Sequence, residues 1–204
     1  MLQMNELGVL VSLFPDKAFR TIKEVQKRCS YSYERIHSAI GVLGKKEALH
    51  TKRYGNVIVV APNYNSDLTF LAFVHYMIGL KTRMYSEQAA KLPPIIPGAQ
   101  KGVSTSLRGC GDEMVSCLRE IENMNAEIIA IAEISRTPKN KISFFYTKDR
   151  NIVDQILKLE YRYGIKIDSR METEDTLRAK KEDPFYLNTI VLKGLEKYYN
   201  IFYS

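Results

Sequence analysis

The stretch that decides the fold runs TIKEVQKRCSYSYERIHSAIGVLGKKEALHTKRYGNVIVVAP, from Thr21 to Pro62. Thr21 followed by Glu24 forms a capping box, in which hydroxyl and carboxylate each satisfy an open backbone N–H at a helix start. Ile22, Val25 and Cys29 then recur at helical spacing, and a polar break at Ser30 to Ser32 ends that helix. A further helix follows with Ile36, Ile40 and Leu43 turned inward, and Gly44 offers a stop. Two extended runs, 48–53 and 56–61, flank Tyr54-Gly55-Asn56, where glycine permits a tight hairpin turn. Pro62 closes the run.

Upstream, Leu7, Leu10, Val11 and Phe14 at helical spacing predict a first helix over 4–13, halted by Pro15. Three short helices followed by a hairpin, within roughly sixty residues, predict a winged helix-turn-helix domain over 1–64. Charge points the same way. The chain carries a net +7, and Met1 to Pro62 holds ten Lys/Arg against five Asp/Glu. Most of the basic excess therefore lies at this end, which suits a polyanionic partner.

A helix-turn-helix lays the exposed face of its third helix in the major groove. Here that face offers Ser32, Tyr33, Arg35, His37 and Ser38, with Lys45 and Lys46 just past its end. Arg35 matches a guanine edge, and the hydroxyls reach bases or phosphates. Lys52, Arg53 and Tyr54 at the hairpin tip suit phosphates or the minor groove. Arg20, Thr21 and Lys23 stand at the start of the second helix, where an N-terminus attracts a phosphate. The expected partner is double-stranded DNA, bound by a homodimer on paired half-sites.

Downstream, 65–91 predicts a connecting helix, apolar on most sides through Leu68, Leu71, Ala72, Met77, Ile78 and Leu80. A Pro- and Gly-rich run from Leu92 to Gly111 reads as a linker, so 65–111 joins two domains. The rest, 112–204, predicts a helix (112–124), strands at 128–134 and 141–147, and a helix at 149–163. A strand at 165–169 and helices at 173–181 and 184–198 complete it, the last opened by Asp183-Pro184. The whole is α+β: a winged helix plus a small α/β domain.

The residues Ile128 to Ser135, Lys141 to Asp149, Tyr163-Gly164-Ile165-Lys166-Ile167, Met171 to Asp175 and Asp183-Pro184-Phe185 stand in a telling order. That order resembles archaeal proteins in which a winged helix is joined to a minimal nucleotidyltransferase domain. The resemblance implies a nucleotidyltransferase-like fold. Enzymes of that family hold the triphosphate on a Gly-Ser turn and magnesium on Asp-x-Asp. At the corresponding places this chain has Ile134-Ser135 and Asn140-Lys141-Ile142, leaving Asp168 as a lone carboxylate. A lysine and an isoleucine cannot hold hard cations. The resemblance therefore implies an inactive domain kept for dimerisation or for a ligand or partner.

No catalytic residue, metal site or cofactor is expected. His37, His50 and His75 lack metal-ligand spacing, and there is no Walker loop, GxGxxG or GxSxG. Cys29, Cys110 and Cys117 form no CxxC, so buried free thiols are expected. The crowded Tyr198, Tyr199, Phe202 and Tyr203 suit a core or an interface. With 45% hydrophobic and 26% charged residues the chain reads as an ordinary globular protein. Its longest apolar run, Ile128 to Ala132, is too short for a bilayer, so a cytoplasmic location is expected. The function expected is a DNA-binding transcription regulator. The alternatives are an active nucleotidyltransferase of the toxin–antitoxin kind and a winged-helix module for protein assembly.

Overall fold

The computed structural model describes residues 2–15, 17–29, 31–86, 111–135, 140–148 and 152–203. It is a mixed α+β chain with two small sheets in two compact units. Among the described residues the first unit is 2–79, and the second is 80–86 together with 111–203. The division falls inside a helix after Gly79 rather than at residue 64. The Leu92 to Gly111 linker lies outside the described residues, apart from Gly111 itself.

In the first unit the order is α1 (Met4–Ser12), β1 (Arg20–Thr21), α2 (Ile22–Arg28), α3 (Tyr33–Lys45), β2 (Leu49–Tyr54), β3 (Val57–Pro62), then α4 (Asp67–Tyr85), which continues into the second unit. Local chemistry sets the boundaries. Thr21 caps α2 through the expected capping box with Glu24, and Ser32 caps α3. Leu10, Val11, Ile22, Val25, Ile36, Ala39, Ile40 and Leu43 are buried, so the three short helices share one core. The hairpin is antiparallel, Tyr54 opposite Val57, across Gly55 at φ +57°. Strand β1 has no counterpart in the sequence pattern. Two residues long, it lies along β3, with Arg20 opposite Val60 and Thr21 opposite Val59, to give the order β1-β3-β2.

The early turns of α4 complete this core. Phe14, 1% exposed, meets the rings of Phe73 at 5.4 Å and Tyr76 at 6.0 Å. Thr69 Oγ1 donates to the buried carbonyl of Ala48 at 3.0 Å. The helix is less apolar all round than its sequence suggests: Ala72, Met77 and Leu80 are buried, but Leu71 and Ile78 are exposed.

A buried acid closes the other side of the core. Glu6, 3% exposed, accepts the Gln3 amide at 3.2 Å and the Lys46 ammonium at 2.7 Å. Burial pushes this carboxyl up, but the bonds from Lys46 and Gln3 outweigh it and leave the group below its ordinary 4.5. The Glu6 charge therefore stabilises the fold fully above about pH 4.5, and that contribution is lost as pH falls through the lower folded-state value. Glu6→Gln should lose about 1–2 kcal/mol at pH 7, with the gap to the parent closing toward pH 3. Denaturant titrations at the two pH values check this; an equal gap at both would dismiss the charge as its cause.

The second unit runs α5 (Asp112–Glu122), β4 (Ile129–Ser135), β5 (Lys141–Tyr146), α6 (Ile152–Tyr163), β6 (Lys166–Met171), α7 (Glu174–Ala179), α8 (Pro184–Leu187), β7 (Ile190–Lys193) and α9 (Leu195–Phe202). The sheet order is β6-β5-β4-β7. Strands β4 and β5 are antiparallel, while β5 and β6 are parallel and joined through α6. The single helix expected over 184–198 is instead a helical turn, a strand and a second helix. Ile190 and Val191 are β-branched and pair with Ile131 and Ala130 at the sheet edge, which outweighs the helix start at Asp183-Pro184. Gly194 then turns the chain at φ +74°. The terminal aromatics Tyr198, Tyr199, Phe202 and Tyr203 are buried, and Tyr198 donates to the Tyr186 carbonyl at 2.6 Å.

No described helix is long and apolar enough to cross a membrane.

Candidate nucleic-acid interface

Helix α3 buries Ile36, Ala39, Ile40 and Leu43, which turns the opposite side to solvent. That side carries Tyr33, Glu34, Arg35, His37, Ser38, Gly41 and Lys45, all exposed. Ser32 is engaged as the cap, its Oγ accepting from the Arg35 amide at 3.4 Å. The Tyr33 ring stacks on His37 at 6.1 Å, so these two present one flat surface. The Arg35 guanidinium and the Lys45 ammonium make no hydrogen bond or ion pair with a described residue.

Glu34 and Gly41 were not singled out in the sequence. Glu34 sits in the first turn, its carboxyl held below the ordinary range by hydrogen bonds from its own amide and from Ser32. Gly41 lies mid-helix with nothing within 4 Å of where a Cβ would stand. Glycine at such a place weakens a helix by about 0.5–1 kcal/mol, and it leaves the middle of the face bare for close backbone approach. The visible sign was a glycine between Ile40 and Leu43 in an otherwise regular helix.

Lys46 is placed differently from expectation. Its ammonium holds Glu6, joining the end of α3 to α1, and so it acts within the fold. The chain then turns at Glu47, φ +57°, into β2. On the hairpin, Lys52 Nζ lies 4.3 Å from the centre of the Phe19 ring, which fixes an exposed cation above an aromatic face. Arg53 Nε donates to the Gly55 carbonyl at 3.0 Å and so braces the turn. Tyr54 at the tip is 64% exposed.

The start of α2 is already filled. The Glu24 carboxylate accepts from the Thr21 amide at 2.7 Å and from its hydroxyl at 2.9 Å, and these bonds hold the acid below its usual range. A phosphate would have to displace that carboxylate, so Thr21 serves as a cap. Lys23 beside it is exposed, and Arg20 is half-buried on β1.

In the second unit the positions that matter to the resemblance lie side by side. Ser135 at the end of β4 is in register with Lys141 at the start of β5, and Ser143 is in register with Asp168 on β6. The Lys141 ammonium reaches Asp168 Oδ2 at 3.5 Å. A lysine thus stands against the lone carboxylate, and this donor set does not fit a magnesium pair. Among the described residues no group of His, Cys, Asp or Glu could hold a metal ion. Cys29 and Cys117 are buried free thiols. Burial and the Glu120 charge push Cys117 up to about 12, so it is no nucleophile at neutral pH. Cys110 lies outside the described residues.

No protein-family model matches the chain, and comparison with curated proteins and with solved structures returns no match.

Proposed function

We propose that the first unit is a winged helix that binds double-stranded DNA, with α3 in the major groove and the β2–β3 hairpin as the wing. The observation that carries this is the solvent face of α3, where Arg35 and Lys45 have no acidic partner among the described residues. The order α1-β1-α2-α3-β2-β3 and the sheet order β1-β3-β2 support the same reading. Phosphates would be met by Lys23, Lys45 and Lys52, and base edges by Arg35, Ser38 and the Tyr33–His37 surface. The biological role proposed is transcription regulation.

A fluorescence-anisotropy titration of duplex DNA at two salt concentrations, with excess competitor duplex, tests it. Binding should weaken steeply with salt. Arg35→Ala should erase the preference for one sequence over another, whereas Lys52→Ala should weaken all duplexes alike. An absence of binding at low salt would overturn the proposal.

For the second unit we infer a nucleotidyltransferase-like fold without transferase chemistry. The Lys141–Asp168 pair supports this, because it sets a cation against the lone carboxylate while Asn140 and Ile142 stand at the places of the paired acids. Labelled nucleotide with magnesium should leave protein, DNA and RNA unlabelled; incorporation lost on Asp168→Asn would reverse the reading.

A further inference from the structure

Helix α6 carries two apolar stripes. Ile152, Ile156 and Leu159 are buried in the second unit. Val153, Leu157 and Tyr161 follow one another at i, i+4 and i+8 and are 58%, 57% and 94% exposed. Residues four apart on a helix are neighbours, so these three make a continuous line along its outer side. A shallow groove of about 500 Å³ runs beside Leu157 and Tyr161, walled by Lys158 and Arg162.

The edges of the line are charged in a particular order. Asp154 and Lys158 lie one turn apart along the same edge, both exposed, and neither makes a hydrogen bond or ion pair with a described residue. Glu160, on the other edge, is occupied, its carboxylate accepting the Ile167 amide at 2.7 Å.

We propose that this stripe is the contact between two copies of the chain, packed as an antiparallel α6–α6 pair about a two-fold axis at Leu157. An isologous contact must be complementary to itself. With Leu157 against its own counterpart, each Val153 faces the other copy's Tyr161, at the end of the helix where that copy's groove lies. Along the shared edge each Asp154 comes within reach of the other copy's Lys158, and the two-fold makes this ion pair twice. A parallel two-fold would instead set this edge against the other copy's Glu160 edge, whose carboxylate is already taken by the Ile167 amide, so only the antiparallel arrangement pairs Asp154 with Lys158. Three side chains make a small patch beside the roughly 800 Å² per partner of a stable interface, so the association is a weak one.

This contact goes beyond the DNA-binding reading and is tested without DNA. Sedimentation equilibrium of the full chain from about 1 to 100 µM, which brackets the dissociation constants of weak complexes, should show a monomer of 23.5 kDa passing to a dimer. Leu157→Glu should raise the dissociation constant at least tenfold. Asp154→Lys and Lys158→Asp should each weaken the dimer several-fold, and the double swap should restore it. All these positions are exposed, and circular dichroism melts confirm that the variants stay folded. A parent that remains monomeric throughout would overturn the proposal, as would a dimer indifferent to Leu157→Glu. A double swap no better than the single changes would overturn the antiparallel register.

Discussion

Gly194→Ala is expected to destabilise the chain by about 3 kcal/mol or more, enough to lower its melting temperature by roughly 10 °C. Two effects add. The residue sits at φ +74°, where a Cβ costs about 1–2 kcal/mol. That Cβ would also stand 2.0 Å from the Glu127 carbonyl oxygen and 3.1 Å from the Ile128 Cα. Those are backbone atoms leading into β4, which cannot swing aside as a side chain would. Relief requires the end of β7 to part from the start of β4, and Ile129 is paired with Lys193 at that point. Gly164 provides the control within the same unit: its φ is +61°, but nothing lies within 4 Å. Gly164→Ala should therefore show the conformational term alone, about 1 kcal/mol. Equal losses in denaturant titrations of the two variants would mean that the close approach at Gly194 contributes nothing.

The second large effect concerns DNA. Replacing Lys23, Lys45 and Lys52 together by alanine should lower affinity for any duplex by about two to three orders of magnitude near 0.1 M salt. Each phosphate contact releases close to one counterion, so the slope of log affinity against log salt should also flatten by nearly three. Lys23 and Lys45 form no ion pair with a described residue, and Lys52 lies above the exposed Phe19, so little folding stability should go with them. Anisotropy titrations across a salt series read both quantities. An unchanged slope would show that these lysines do not meet phosphates.

The sequence revealed most where structure is local. Thr21 with Glu24, and Ser32 before an apolar periodic run, announced two helix starts because a cap needs only groups three residues apart. Gly55 announced the hairpin because a tight turn needs positive φ. What stayed hidden depends on distant partners. Strand β1 has two residues and no period of its own; it exists because β3 offers an open edge. Asp183-Pro184 starts a helix convincingly in the sequence, whereas the partner that makes β7 a strand, β4, lies far back in the chain. The candidate site shows the same division. That Arg35, His37 and Lys45 face solvent is legible from periodicity alone. Lys46 carries the same local cues, yet it is taken by Glu6, 40 residues away.

The packing of Phe14 against Phe73 and Tyr76 bears on how such a protein can be assembled in evolution. A recombination event that joined a foreign gene after residue 64 would bring the hairpin across intact but leave the Phe14 ring bare. The portable segment must extend through the first turns of α4, to about Gly79, where the second unit begins. Shuffling that respects this seam carries the partners of the Phe14 ring along with it, whereas shuffling at the visible end of the hairpin leaves Phe73 and Tyr76 behind. Any ancestral exchange of the second unit should therefore have left its scar in the middle of a helix, not in the proline-rich stretch that looks like a hinge.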